Sequence, residues 1–376
     1  MSMTTNAALL STVTAKLSAY VEQGQAAAPA ALAQIEAMRP TDTIIPASAL
    51  TFSPTLDAIL GEHERALHSN AVRQAAERAG VPHRFASELR DGSARERALL
   101  GHIFSERFAM SGDRVLVRSV GQEIRAILTD GFRRFDAWPI IESYAEGIAE
   151  SGAVITDVQV SDLRFGLKAI KPEIIMVNGD PVVLGARLGA SDFGKGTVEV
   201  AFFMLRLLCL NGMVGERAIR QVHLGKRIAD DSMFSERTRA LDTATMASAV
   251  RDVIGSQFSD AAMTTRKEKV ERAAGTEIDP KAAFKELGKV LTKSETEKAQ
   301  ETFMFGAADV VPDGRNAWRL ANALSFIAKS ASNVDRAMDL ERMAGAIVET
   351  PQFTGNLLDR ILDEQDFIEA AIRHAA

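Results

Sequence analysis

The sequence predicts an α+β fold, with an antiparallel sheet core, flanking helices and a largely helical C-terminal region. Short apolar–polar alternations cluster between Arg114 and Phe203, separated by turn-forming residues. One helical stretch interrupts them, and helical periodicity dominates on both sides of the block. Helices, then strands, then helices again favour α+β over a doubly wound sheet.

Residues 5–38 are Ala-rich and helical in pattern, interrupted near Pro29, with too few large apolar side chains to form a core alone. Pro40 and Pro46, with Pro54 just beyond, mark the stretch through Phe52 as a linker or extended arm. From Ser53 to about Phe108 the helical pattern returns. Ser69 or Asn70 caps AVRQAAERAG, Gly80 and Pro82 stop it, and a second helix covers about Ser93–Phe108. Arg114–Val120 and Glu123–Thr129 alternate about Gly121-Gln122 and predict a β-hairpin. Asp136 is placed to cap a helix that has Pro139 in its first turn and runs to about Glu150. Further strands are expected at Val154–Val160, Leu163–Ile170, Ile174–Val177, Val182–Leu188 and Thr197–Phe203. Beyond Asn211 the pattern is helical almost to the end. Lys281–Val290, Thr296–Phe305 and Asn316–Ile327 are amphipathic, as is the acidic segment Asn356–His374. The chain therefore divides into an N-terminal helical arm and linker (1–52), an α+β core (53–230) and a helical C-terminal region (231–376).

Composition limits the function classes. A chain of 376 residues, 46% hydrophobic and 25% charged, has ample material for a core. A net charge of −6 argues against coating duplex DNA by bulk charge, but leaves room for a local basic groove. Cys209, the one cysteine, sits in an apolar run, which excludes a disulfide framework and a cysteine-rich metal site. The six histidines form no zinc pattern and no compact acidic–lysine cluster suggests a metal nuclease, so neither catalysis nor a cofactor is expected. The start MSMTTNAALL lacks a basic-then-apolar secretion pattern, and AFFMLRLLCL is too short to span a membrane and contains Arg206. The expectation is a cytoplasmic protein without a membrane partner.

The strongest functional cluster is basic and aromatic. Arg114, Arg118 and Arg125 lie on the expected hairpin, Arg133 and Arg134 follow it, and Phe132, Phe135 and Trp138 are interleaved. Guanidinium groups neutralise phosphates, and aromatic faces stack on bases at ~1–3 kcal/mol each, the combination that holds a single strand. The other possibility is an ordinary solvated face with Trp138 in the core. A second set, Arg217, Arg220, His223, Lys226 and Arg227, falls largely on one side of an expected helix. It is either a phosphate-contacting surface or a solvated face. Arg206, alone in an apolar run, requires a partner, with a structural ion pair to Asp130 or Asp192 favoured.

Gly189, Gly194, Lys195 and Thr197 stand one residue off a P-loop, with Gly196 where Ser or Thr would hold magnesium. A P-loop must open a helix, whereas TVEVAFF is strand-like, so a Gly-rich hairpin turn with Lys195 at its tip is expected instead.

The segments VRQAAERAGVPHRFASEL, VLVRSVGQEIRAILTDGFRRFDAWPIIE, LRLLCLNGMV and NAWRLANALSFIAKSA resemble the phage/plasmid-like protein family of unknown function, over roughly residues 55–335. The most specific landmarks are R-A-x-L-(S/T)-D at Arg125–Asp130 and R-x-x-C-x-N-G-M at Arg206–Met213. Phe132 stands where that family often carries Tyr, which retains stacking but removes a phenolic hydrogen bond. The resemblance implies a phage, prophage or plasmid protein acting inside a bacterium. The order of hairpin, helix and strands is also similar to single-strand annealing recombinases of the lambda Red beta type.

Together these lead to an expected non-enzymatic, oligomeric nucleic-acid-binding protein, annealing complementary single strands. Phosphate contacts would come from Arg114, Arg118, Arg125, Arg133, Arg134 and Lys195, with Arg217, Arg220, Lys226 and Arg227 along the same groove and Phe132 or Trp138 stacking. A structural or host-interaction phage protein, docking a host partner through its C-terminal helix, is the alternative. A P-loop NTPase is the minor one.

Overall fold

The computed structural model describes residues 3–132, 134, 137–196, 198–221 and 235–351. The chain is α+β, with two mainly antiparallel sheets and helices packed on both. From the N-terminus come α1 (Met3–Ala37), β1 (Thr41–Pro46), β2 (Leu50–Phe52), β3 (Ala58–Leu60), β4 (His63–Leu67), α2 (Ser69–Ala79), α3 (His83–Asp91), α4 (Ala94–Ala109), β5 (Arg114–Val120) and β6 (Glu123–Thr129). The six strands form one sheet in the order β1-β5-β6-β4-β3-β2. The β5–β6 hairpin lies at the expected residues, with Val115 and Val117 in the core beside Leu100, Phe104 and Phe108. Within this core Phe52 meets Phe104 edge-on at 5.3 Å between ring centres, a favoured aromatic geometry.

Three expectations are corrected in this half. α1 runs through Pro29 without a break, because Val13, Leu17 and Ile35 anchor it on the second sheet and packing overrides the lost backbone bond. The supposed linker is part of the first sheet. β1 pairs only with β5 and places Pro46 opposite Arg114 at its end, and an edge strand tolerates a residue that cannot donate. Residues 58–67 form β3 and β4 rather than helix. The helix signals hold better. The cap of α2 is His68 rather than Ser69 or Asn70, its ring accepting from Asn70 N at 3.1 Å, while Gly80 ends the helix at φ +68° and Ser93 with Glu96 forms a capping box for α4.

The second half begins with α5 (Ala137–Glu150), then β7 (Val154–Val160), β8 (Phe165–Ile170), β9 (Ile175–Val177), β10 (Asp180–Ala190), β11 (Val198–Arg206) and β12 (Asn211–Gln221). The second sheet runs β12-β11-β10-β8-β7, antiparallel throughout, with β9 also paired to β10. The helices α6 (Glu236–Gln257), α7 (Asp260–Gly275), α8 (Pro280–Leu287), α9 (Lys293–Phe305), α10 (Ala317–Ala328) and α11 (Val334–Glu349) complete the described chain. Every position of β10 and β11 is buried because both faces are covered. Leu184, Phe202 and Met204 pack on α7, α10 and α11, whereas Leu188 and Val200 pack on α5 and α6. Val183, Phe203 and Leu205, one residue out of phase, meet α1 on the opposite face.

A fourth correction concerns Arg217 and Arg220. They lie on β12, not on a helix, because pairing with β11 outweighs the helical spacing of their charges. His223, Lys226, Arg227, Asp136 and the segment Asn356–His374 lie outside the described residues. No helix among the described residues is long and apolar enough to cross a membrane.

Candidate nucleic-acid interface

The arginines of the hairpin are already engaged. Arg118 is 3% exposed, with its Nε donating to Asp42 at 2.8 Å and its guanidinium also reaching the Asp192 carbonyl. Arg134 donates to the other Asp42 oxygen at 2.7 Å, so one carboxylate of β1 serves two cations. Arg125 sits at a bulge opposite β5 rather than across from Arg118, whose register partner is Ala126. It donates to Glu123 at 3.0 Å and to the Asp162 carbonyl at 2.9 Å, and lies 5.8 Å from the Phe193 ring centre. Arg114 and Phe132 are half-buried, Trp138 is 37% exposed at the start of α5, and Arg133 lies outside the described residues. Arg118 is thus a buried tie between sheets, unfit for phosphate contact, and its burial reflects Asp42, which no local pattern assigns to it.

A second cationic group, unforeseen except for Arg217 and Lys195, occupies the second sheet. Arg187 on β10 lies over two glycines that are register partners, Gly166 and Gly189. A Cβ on either would stand 2.7 or 2.8 Å from the guanidinium. The glycine pair therefore makes the slot in which the arginine lies flat. Arg187 donates to Glu199 on β11 at 2.7 Å, Arg217 Nε to the other Glu199 oxygen at 2.7 Å, and Arg342 from α11 also bonds Glu199. Burial would raise the Glu199 pKa. Arg342, Arg217 and Arg187 outweigh it and hold the carboxyl at about 2. Burial pulls the Arg187 pKa down despite Glu199, and its Nε is buried without a hydrogen-bond partner. One carboxylate is shared among three guanidinium groups.

Lys195 stands nearby on the loop between β10 and β11. Ser191 shapes this loop, accepting from Phe193 N at 3.2 Å and Lys195 N at 3.1 Å while donating to the Leu163 carbonyl at 2.7 Å. Gly194 at φ +72° and Gly196 at φ +147° make the turns. Phe193 is buried against the first sheet, and its carbonyl accepts from Asn70 and Gln74 of α2 at 3.0 Å each, so this loop is where the two sheets join. The loop leads into a strand, the hairpin geometry expected, and lacks the helix that a P-loop opens. The Lys195 ammonium has no hydrogen-bond or carboxylate partner among the described residues. Burial lowers its pKa first, and the positive charges of Arg73 and Arg164 lower it further, against weaker opposition from Asp339 and Asp335. Arg73 pairs with Glu77, and Arg164 with Asp335 at 2.8 Å and Asp339 at 3.2 Å.

The landmark Arg206–Met213 meets α10 in a separate, structural arrangement. Arg206 has the ion pair its position demanded, but with Asp180 at 2.8 Å, not Asp130 or Asp192. Trp318 Nε1 donates to the second Asp180 oxygen at 2.8 Å, and Asn211 donates to the Asn322 carbonyl at 3.3 Å. These bonds fasten the C-terminal helices to the sheet. Among the described residues no group of His, Cys, Asp or Glu is arranged to hold a metal ion. Comparison with protein-family models, curated proteins and solved structures finds no match to this chain.

Proposed function

We propose that the protein binds single-stranded nucleic acid, with phosphates held at the junction of the two sheets by Lys195 and the neighbouring Arg73 and Arg164. The observation that carries this is the Lys195 ammonium, partly desolvated, under the positive charges of Arg73 and Arg164 and without a carboxylate of its own among the described residues. Such a charge is destabilising until an anion reaches it. A phosphate there meets Lys195 directly, and Arg73 and Arg164 in competition with Glu77, Asp335 and Asp339, while the oversubscribed Glu199 leaves further positive potential from Arg217 on β12 and Arg342 on α11. Exposed Trp138 offers a stacking face. The net charge of −6 favours such a local site over indiscriminate duplex binding.

The resemblance to the phage/plasmid-like family supports a mobile-element origin, and with it annealing of complementary strands by an oligomer. The reaction would need no nucleotide hydrolysis, only phosphates held with base edges left free. The test is titration of a labelled single-stranded oligonucleotide and its duplex at low and moderate salt, with the wild type and Lys195→Ala. Salt-sensitive single-strand binding weakened in the variant supports the proposal. Absence of binding to either form transfers the function to a structural or partner-binding role.

A further inference from the structure

A second site lies on the face of the second sheet that α1 covers. Between α1, β7, β8 and the helices α10 and α11 there is a cleft of about 430 Å³, within the size range of small-molecule sites. Its floor is polar. Lys168 is wholly buried and donates to Glu341 at 2.7 Å and lies 3.0 Å from Asp157, with its ammonium 5.5 Å from the Phe203 ring centre. Burial alone would lower the Lys168 pKa. Glu341 and Asp157 outweigh it and hold the group above the ordinary lysine value, so it remains a cation. Tyr20 of α1 also lines the cleft.

The floor is incompletely satisfied. Glu341, 8% exposed, uses Oε1 for Lys168, while its Oε2 is buried without a hydrogen-bond partner. Gln159 Oε1 and Thr156 Oγ1 are in the same condition. All three residues line the cleft; Glu341 Oε2 and Gln159 Oε1 are acceptors, and the Thr156 hydroxyl can accept or donate. Leaving a buried acceptor unpaired costs about 1–3 kcal/mol, and more for a charged one. Phe203, Leu205, Leu210 and Ala328 add apolar surface to the lining. α1 is held tightly over the cleft, since a Cβ at Gly24 would lie 2.0 Å from the Thr156 carbonyl oxygen.

We propose that this cleft is a binding site for a small organic amine or amidine with an apolar body. Its N–H groups donate to Glu341 Oε2 and Gln159 Oε1, and its body lies against Phe203 and Leu205. The anionic acceptor of Glu341, buried without a hydrogen-bond partner, favours a donor-bearing ligand over a carboxylate, which it would repel. The site is independent of the phosphate contacts at Lys195.

The experiment is thermal unfolding of the full chain with phenethylamine or benzamidine, and with benzoate as the acceptor-only control. A saturable rise of about 3 °C at hundredfold excess over Kd is expected for an amine or amidine, and none for benzoate. Glu341→Gln should abolish the rise. Because that variant also disturbs Lys168, Ala31→Leu provides a second test, narrowing the cleft from α1 while leaving every charge in place. Loss of the rise in both variants supports the site. No rise with either donor probe, an equal rise with benzoate, or a rise retained in Ala31→Leu overturns it.

Discussion

Replacing Glu199 by Gln removes the one charge that three arginines share while nearly preserving its shape. The magnitude follows from the carboxyl itself, which is held at about 2 against an ordinary 4.5. At about 1.4 kcal/mol per pKa unit, the ionised form contributes ~3 kcal/mol to folding at neutral pH. This agrees with the ~3–5 kcal/mol lost when a buried pair is broken from one side. A depressed carboxylate stabilises above its unfolded pKa, and that stability is lost as pH falls toward the folded value. The difference between wild type and variant is therefore full at pH 7, and roughly half remains at pH 3. Urea unfolding of both proteins at the two pH values measures it. A difference below ~1 kcal/mol at pH 7, or one that does not shrink with acid, would refute the assignment of Glu199 as the anion that holds Arg187, Arg217 and Arg342 together.

Other substitutions separate structural from functional cations. Lys195→Met should leave stability unchanged or raise it, because the ammonium is disfavoured by burial and by Arg73 and Arg164. With its pKa lowered, Lys195 makes wild-type stability rise with pH from the folded value toward 10.5, a rise that thermal unfolding should find diminished in the variant. Arg118→Met should cost ~1–3 kcal/mol through the lost charged hydrogen bonds, Asp42 keeping Arg134, yet leave the salt dependence of nucleic-acid binding unaltered. Gly345→Ala places a Cβ 2.0 Å from the Val214 carbonyl oxygen, so α11 must move from β12. The expected loss is ~2 kcal/mol or more in unfolding free energy.

Local pattern made the regular elements legible and left tertiary partners hidden. The hairpin Arg114–Thr129 and the strands from β7 to β11 follow from alternation and turn residues, as do the Gly80 end of α2 and the capped start of α4. Edge strand β1 was not legible, because Pro40 and Pro46 signal a linker and only its pairing with β5 reveals otherwise. β12 was masked by arginines at helical spacing. In the site, Lys195 at a hairpin tip was readable from the glycines around it. Arg187 left a fainter trace, an arginine in an apolar strand four residues after Val183 with glycines on either side. Arg342, which shares Glu199 with it, comes from a helix more than a hundred residues away, and no local signal joins Asp42 to Arg118. Charge clusters read from sequence count cations, whereas the folded chain decides which of them have been neutralised.

The central claim is that the Lys195 loop holds phosphate, and the most direct test is anisotropy of a labelled oligothymidylate at 50 and 200 mM salt. For three neutralised phosphates the affinity should fall about twentyfold between these concentrations, by the slope of roughly −0.7 per phosphate on a single strand. Lys195→Ala should bind more weakly at low salt with a slope shallower by about that unit. Equal affinity and slope in the two proteins, or no binding by either while both remain folded, would contradict the account.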